Sequence, residues 1–126
     1  MSLVDYAEYK IEELNNVVGD DPVDERAEKV LLGHFRILDS TERKFKVPII
    51  GSRGFGGIHV EWWTHNRNKV LIFAINPNGE SHLHLMGRSA EEINTDRFIK
   101  NPTELELFTQ YMKMIEEEPD RTIGPK

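Results

Sequence analysis

Three runs of residues between positions 57 and 86 predict three antiparallel strands. The first run, 57–64, alternates apolar and polar side chains as far as its two tryptophans, and the second, 69–75, is almost entirely apolar. The Asn76-Pro77-Asn78-Gly79 segment that follows fits a type I turn with a bulged glycine. Residues 81–86 are therefore expected to return as the third strand.

The lengths of the two loops predict the register of these strands. A four-residue first loop places Trp62 opposite Leu71, and a bulged second turn places Phe73 opposite Leu83. Period-two alternation then gives one apolar face, which we call the first face. Its members are Ile58, Val60, Trp62, Leu71, Phe73, Ile75, Leu83 and Leu85. A shift of one residue would place histidines among them, so the pattern supports this register.

The opposite face, called the second face below, is expected to hold three cross-strand rows. The rows are His59, Ala74 and His82; Glu61, Ile72 and His84; and Trp63, Val70 and Met86. The middle strand is thus apolar on both faces, whereas a strand with one face in water would alternate. We therefore expect the second face to be covered by a helix, a long loop or another subunit, or to be a binding surface.

Amphipathic spacing predicts two helices before the sheet, which together form a helical hairpin over residues 3–38. The first is expected over 3–18. The second is expected to begin with Asp21 as its N-cap and Pro22 in the first helical position. His34 lies on the apolar stripe of the second helix, where a packed, hydrogen-bonded core histidine is the favoured interpretation.

The remaining segments give weaker predictions. Residues 44–50 are expected to hold a short edge strand with Pro48 at its end, and the glycine-rich segment 51–57 is interpreted as a flexible connection or a flap over a ligand. The Asn101-Pro102-Thr103-Glu104 segment predicts a C-terminal helix over 102–118, followed by a frayed polar tail after Pro119. A capping-box pattern at 89–92 predicts another short helix.

Together these segments predict one α+β domain over residues 1–126. It has two N-terminal helices, a three- to four-stranded antiparallel meander over 57–86, and C-terminal helices. The length is sufficient for a hydrophobic core without disulfides or metals.

Composition narrows the class of protein. The chain contains no cysteine, and no apolar run approaches the length of a membrane span or a signal peptide, so a cytoplasmic protein without membrane contact is expected. The net charge is −6, but residues 51–86 carry only three basic and two acidic side chains. Because nucleic-acid binding requires clustered Lys and Arg, no nucleic acid is expected as a partner.

One possible chemistry is a metal site on the second face. His82 and His84 form a His-x-His pair on one strand, about 6–7 Å apart at Cα, and His59 and Glu61 lie about 10 Å away on the same face. Histidine and carboxylate ligands suit zinc or iron, so a metal-dependent enzyme is the alternative hypothesis. The pattern is weak because His-x-His is common and Ala74 and Ile72 would have to form the floor of the site.

The favoured hypothesis is a non-enzymatic protein-interaction module. Trp63, Val70, Ile72 and Met86 form an apolar patch bordered by His59, and Trp and Met are enriched in the centres of interfaces. A protein partner or self-association through this face, without a cofactor, is therefore expected. The acidic chain as a whole would favour fast association with a basic partner.

The strand Gly56-Gly57-Ile58-His59-Val60-Glu61-Trp62, followed by a hairpin and an Asn-Gly turn, resembles a segment of small uncharacterised bacterial proteins. Their shared pattern is Gly-Gly, aliphatic, any residue, aliphatic, Glu-Trp, and the similarity extends over about residues 48–80. The resemblance implies no activity. It suggests an accessory bacterial protein, of the toxin-neutralising or defence-associated kind.

Overall fold

The computed structural model describes residues 1–19, 21–65, 67–87, 97–115 and 122–125. It confirms the α+β class, with three helices, a five-stranded antiparallel sheet and a two-stranded sheet in the described residues. The helices are α1 (Leu3–Asn15), α2 (Glu25–Ser40) and α3 (Glu104–Met114). The strands are β1 (Phe45–Lys46), β2 (Ile49–Gly54), β3 (Gly57–Trp63), β4 (Lys69–Ile75), β5 (Ser81–Gly87), β6 (Arg97–Lys100) and β7 (Thr122–Ile123).

The large sheet is a simple meander in the order β2-β3-β4-β5-β6, with every neighbouring pair antiparallel. The predicted register of the three central strands is confirmed, with Trp62 opposite Leu71 and Phe73 opposite Leu83. The turn between β4 and β5 is also as expected, since Gly79 has φ of +90° and its N–H donates to the Asn76 carbonyl at 2.9 Å. The prediction of three or four strands was too low because β2 and β6 extend the sheet at both edges.

The glycine-rich segment was wrongly predicted as a flexible connection. Residues 51–54 belong to β2, which pairs with β3, and β1 and β2 lie on either side of Pro48 instead of forming one strand that ends there. Backbone pairing along the edge of β3 outweighs the low strand propensity of glycine. Gly56 has φ of +94° in the hairpin turn, and a Cβ there would lie 3.1 Å from the Pro22 carbonyl oxygen, so the turn requires glycine.

The N-terminal helices differ from the prediction at their ends. Helix α1 ends at Asn15 instead of residue 18, and α2 begins at Glu25 with Asp24 as its N-cap instead of Asp21. The Asp24 carboxylate accepts from the Arg26 backbone N–H at 2.8 Å, which satisfies one of the free N–H groups of the first turn.

The C-terminal helix is shorter than predicted, because α3 begins at Glu104 and ends at Met114. Its N-cap is Thr103, which lies inside the predicted helix of 102–118, and Thr103 forms a capping box with Glu106. It is the one helix described after the sheet, since the predicted capping box at 89–92 lies outside the described residues. The polar tail was also expected to fray, but β7 pairs with β1, and Ile123 is buried.

The hydrophobic core lies between the first face and the helices. Trp62 is fully buried, with its ring centroid 5.9 Å from Phe35 of α2 and 5.3 Å from Tyr111 of α3. His34 is a buried core histidine as predicted, with its ring nitrogens 2.9 Å from the Val30 carbonyl and 3.2 Å from the Pro102 carbonyl. Among the described residues, no helix combines the length and apolar character needed to cross a membrane.

Candidate functional site

The second face has the predicted rows but is only partly covered by the described residues. Val70 and Ala74 are buried at 1% exposure, whereas the other residues of the second face are half-buried. Trp63, Ile72 and Met86 do not belong to the core formed by the helices and the first face. The apolar side chains of the second face are thus accessible from outside that core.

Both edge strands add large apolar side chains to the second face. Ile49 of β2 lies opposite Glu61 and is 54% exposed, and Phe98 of β6 lies opposite His84 and is 62% exposed. The Phe98 ring stacks on His82 at 5.2 Å between centroids and meets His84 edge-on at 5.6 Å. Phe98 was not predicted from the sequence, because the four residues of β6 are too few to show alternation. The predicted patch is therefore larger than expected and extends across all five strands.

Glu61 links two other side chains of β3. Its Oε2 lies 3.2 Å from His59 Nε2, and its Oε1 accepts a hydrogen bond from Trp63 Nε1 at 2.8 Å. Alternation along the strand brings these three residues to one face. The bond holds the indole of Trp63, and the Arg67 guanidinium lies 5.2 Å from its ring centroid. Both carboxylate oxygens of Glu61 therefore have partners on its own strand.

His82 lies in an environment that disfavours its charged form. Partial burial lowers its pKa below the usual value, and the positive charges of Arg53, His84 and His59 lower the pKa further. Neutral imidazole is therefore the dominant form of His82 at pH 7. In that form the ring offers one donor and one acceptor together with an apolar surface that stacks on Phe98.

The structure brings only part of the predicted metal-binding set into contact. His59 and Glu61 meet on β3, while His82 and His84 both contact Phe98. Within the described ranges, no three histidine, cysteine, aspartate or glutamate side chains are grouped so that they could hold a metal ion. The zinc or iron site remains an untested prediction.

A pocket of about 540 Å³ opens where the β3 end of the second face meets α1 and the segment between β1 and β2. Its lining includes Trp63 and Glu61 of β3, Tyr6 of α1 and residues 46–50. The hydroxyl of Tyr6 donates to the Pro48 carbonyl at 3.2 Å, which ties α1 to this segment. No motif in the sequence indicated this pocket, because its described residues come from three separate segments, 6–10, 46–50 and 61–67.

Charge is distributed unequally between the helices and the large sheet. The three helices carry nine acidic and five basic side chains, whereas the five strands of the large sheet carry four basic side chains and one acidic. The one acidic side chain of those strands is Glu61, whose oxygens already have partners. The sheet is thus the more positive part of the described structure in a chain whose net charge is −6.

Comparisons with models of protein families, with curated proteins and with solved structures each return no match to this chain.

Proposed function

We propose that this protein is a non-enzymatic interaction module that binds a protein partner through the second face of its sheet. The observation that carries the proposal is the set of accessible apolar side chains on this face. Ile72 and Met86 are half-buried, and Phe98 and Ile49 at the two edges are mostly exposed. Burial of these side chains under a partner would contribute about 25 cal/mol of favourable free energy for each Å² of apolar surface removed from water.

The charges around this face favour an acidic segment of the partner. Lys100 continues the row of His82, and Arg53 lies close enough to His82 to lower its pKa. The only carboxylate in the rows of the face, Glu61, is already paired. The helices, which carry most of the acidic side chains of the described structure, pack on the first face. The second face therefore suits an acidic partner better than the basic partner expected from the net charge alone.

A peptide selection tests the proposal without a known partner. A phage-displayed random peptide library is selected on the immobilised protein, and the enriched peptides are measured for binding in solution. We expect enrichment of peptides that combine Asp or Glu with aromatic residues, and weaker binding at high salt. Enrichment without acidic residues, or without any salt dependence, would contradict the acidic partner.

Two matched variants locate the binding surface. Ile72→Glu changes the centre of the second face, whereas Ile37→Glu makes the same exchange on α2, where Ile37 is 44% exposed. We expect Ile72→Glu to weaken the affinity for the selected peptides at least about tenfold, because it places a charge in the apolar centre of the second face. Ile37→Glu should leave the affinity unchanged. Thermal unfolding of both variants checks that each is folded. An equal loss of peptide affinity in both variants, or a loss in Ile37→Glu alone, would show that the peptides bind outside the second face.

Metal content separates this proposal from the alternative enzyme. Stoichiometric zinc or iron in the purified protein, lost in the His82→Ala/His84→Ala variant, would favour a metal-dependent enzyme over an interaction module. A role of the toxin-neutralising or defence-associated kind, as the sequence resemblance implies, would be consistent with the proposed module.

A further inference from the structure

The pocket beside Trp63 combines features that the proposed interaction surface does not require. Its volume of about 540 Å³ lies within the range of small-molecule sites. Aromatic rings from Trp63 and Tyr6 line it together with an apolar wall of Val47, Pro48 and Ile49. A pocket of this shape and lining suits a compact ligand with a flat apolar body.

The charged residues that line the pocket are mostly basic. Lys10, Lys46 and Arg67 reach it from three separate segments, and His65 adds a fourth nitrogen-bearing side chain. Among the described residues of the lining, Glu61 is the only acidic one, and its two carboxylate oxygens have His59 and Trp63 as partners. Three cations thus converge in a protein whose net charge is −6, which favours an anion over a neutral or cationic ligand.

The contacts given for two of these cations within the described residues are exposed or aromatic, and those of Lys10 include the rings of Tyr6 and Tyr9 at 5.7 and 5.9 Å from its Nζ. Lys10 Nζ lies 3.6 Å from Glu13, but both side chains are substantially exposed, and exposed ion pairs contribute little. Arg67 stands over the ring of Trp63, a position from which its guanidinium can also bind a carboxylate. The bond from Trp63 to Glu61 keeps the indole in place as one wall.

We infer that this pocket binds a small aromatic carboxylate, with its ring against Trp63 and its carboxylate among Lys46, Lys10 and Arg67. The pocket shares Trp63 and Ile49 with the second face, but this inference does not rest on the proposed protein interaction, whose centre lies at Ile72. The ring supplies the apolar contact, and the carboxylate supplies charge-assisted hydrogen bonds. A ligand with only the aromatic ring would leave the cations of the lining unused, and a ligand with only the carboxylate would leave its apolar wall unused.

Three naphthalene compounds of nearly equal shape test the inference. 2-Naphthoate, 2-naphthalenemethanol and 2-naphthylmethylammonium are titrated while the indole N–H signals are followed by NMR. We expect saturable shifts of the Trp63 signal with naphthoate, at least about fivefold weaker binding of the alcohol, and weaker binding still of the ammonium compound. The Trp62 indole, fully buried in the core, serves as the internal reference. Equal affinity for the ammonium compound and naphthoate, or no saturable shift, would overturn the inference.

Single-charge variants assign the carboxylate position. Lys46→Gln and Arg67→Gln should each weaken naphthoate about threefold or more and leave the alcohol unchanged, because only the anion uses the positive charge. Lys29→Gln removes an equal charge from the exposed surface of α2, outside the pocket, and should have no effect. An equal loss of naphthoate affinity in Lys29→Gln would show that binding depends only on the net charge of the protein, which would contradict a specific carboxylate site in the pocket.

Discussion

At the scale of single residues, His82 shows how the second face determines the protonation state of a side chain. Partial burial, the charge of Arg53 and the repulsion of His84 and His59 when they are protonated all lower its pKa, so the ring that stacks on Phe98 is mainly neutral at pH 7. A charged imidazole at the same position would have to be solvated in a partly apolar setting next to Arg53. The chemistry of His82 therefore depends on its surroundings and could not be predicted from the His-x-His pattern.

An NMR titration of the histidines tests this environment. We expect the pKa of His82 to lie below 6.5, the ordinary value for histidine, and to rise in Arg53→Gln because one of the positive charges is removed. Arg36→Gln on the exposed side of α2 is the control and should leave the pKa of His82 unchanged. A pKa at or above 6.5 in the original protein would show that the ring is neither buried nor repelled as described.

The same shift predicts how stability depends on pH. Because the folded pKa of His82 is below the unfolded pKa, the unfolded chain takes up a proton first as the pH falls. The contribution of His82 is therefore fully present above the unfolded pKa and is lost as the pH falls through the folded pKa. Urea unfolding at pH 7.5 and pH 5 should show a smaller loss of stability in His82→Gln than in the original protein. An equal loss in both proteins would contradict this coupling.

At the scale of elements, α1 is held by a side chain from the far end of α2. Both carboxylate oxygens of Asp39 accept from the start of α1, from the Leu3 N–H at 2.9 Å and from the Val4 N–H at 3.0 Å. These N–H groups have no partner within α1, and a negative charge is favourable at the positive end of the helix. Ser2 caps the next turn position by accepting from the Asp5 N–H at 3.0 Å.

Removal of the Asp39 carboxylate should therefore loosen the helical hairpin. We expect Asp39→Ala to lower the free energy of unfolding by about 1–2 kcal/mol, and Asp39→Asn to lower it less because the amide oxygen can still accept one bond. Chemical denaturation followed by circular dichroism measures both. Glu12→Ala, on the exposed surface of α1, is the control. A loss no greater in Asp39→Ala than in Glu12→Ala would show that the cap does not hold the helix.

Thr103 provides a similar test at α3. Its hydroxyl accepts from the Glu106 N–H at 3.2 Å, and the Glu106 carboxylate accepts from the Thr103 N–H at 2.7 Å. Thr103→Ala should cost about 1 kcal/mol of stability in the same denaturation experiment, whereas Thr103→Ser keeps the hydroxyl and should cost little. If Ser and Ala were equally destabilising, the lost methyl group and not the cap would be responsible.

The elements also show what the sequence could and could not predict. The central strands and their register followed from apolar pairing and turn residues, since a slip by one residue would have buried the histidines. The edge strands were missed or misplaced because β2 is rich in glycine and β6 has only four residues, so their pairing depends on the neighbouring strand and not on their own pattern. The Asp39 cap joins residues 35 or more positions apart, which no local signal reveals.

At the scale of the whole molecule, the chain ends meet beside the core. Strand β7 pairs with β1, placing Ile123 opposite Phe45, and the Gly124 N–H donates to the Met1 carbonyl at 3.1 Å. A Cβ at Gly124 would lie 2.6 Å from the Arg43 carbonyl oxygen, so the backbone at Gly124 packs directly against the backbone at Arg43. The C-terminal segment thus contributes to the same core as the helices.

Truncation of the Ile123 side chain should therefore lower the free energy of unfolding as much as truncation of any other core side chain. We expect Ile123→Ala to reduce the free energy of unfolding by about 2 kcal/mol or more, because it leaves a cavity against Phe45. Val18→Ala, at a position that is 99% exposed, is the matched surface control and should change stability little. Urea denaturation measures both, and equal small effects would mean that the C-terminal segment does not pack as described.

The separation of charge gives the molecule two different sides. The helices are acidic and cover the first face, while the sheet presents basic, aromatic and aliphatic side chains on the second face. If the proposed acidic partner binds, we expect this arrangement to orient it toward the second face and away from the helices. The sequence already placed the acidic excess outside residues 51–86, and the fold adds which face of the sheet the basic side chains occupy.

The most direct test of the proposed binding surface is an amide chemical-shift map of the protein titrated with an acidic, aromatic peptide from the selection. We expect the largest shifts in β4, β5 and β6 around Ile72, His84 and Phe98, and none on the exposed faces of α1, α2 and α3. Shifts concentrated on the helices, with the central strands unchanged, would contradict the assignment of the second face as the binding surface.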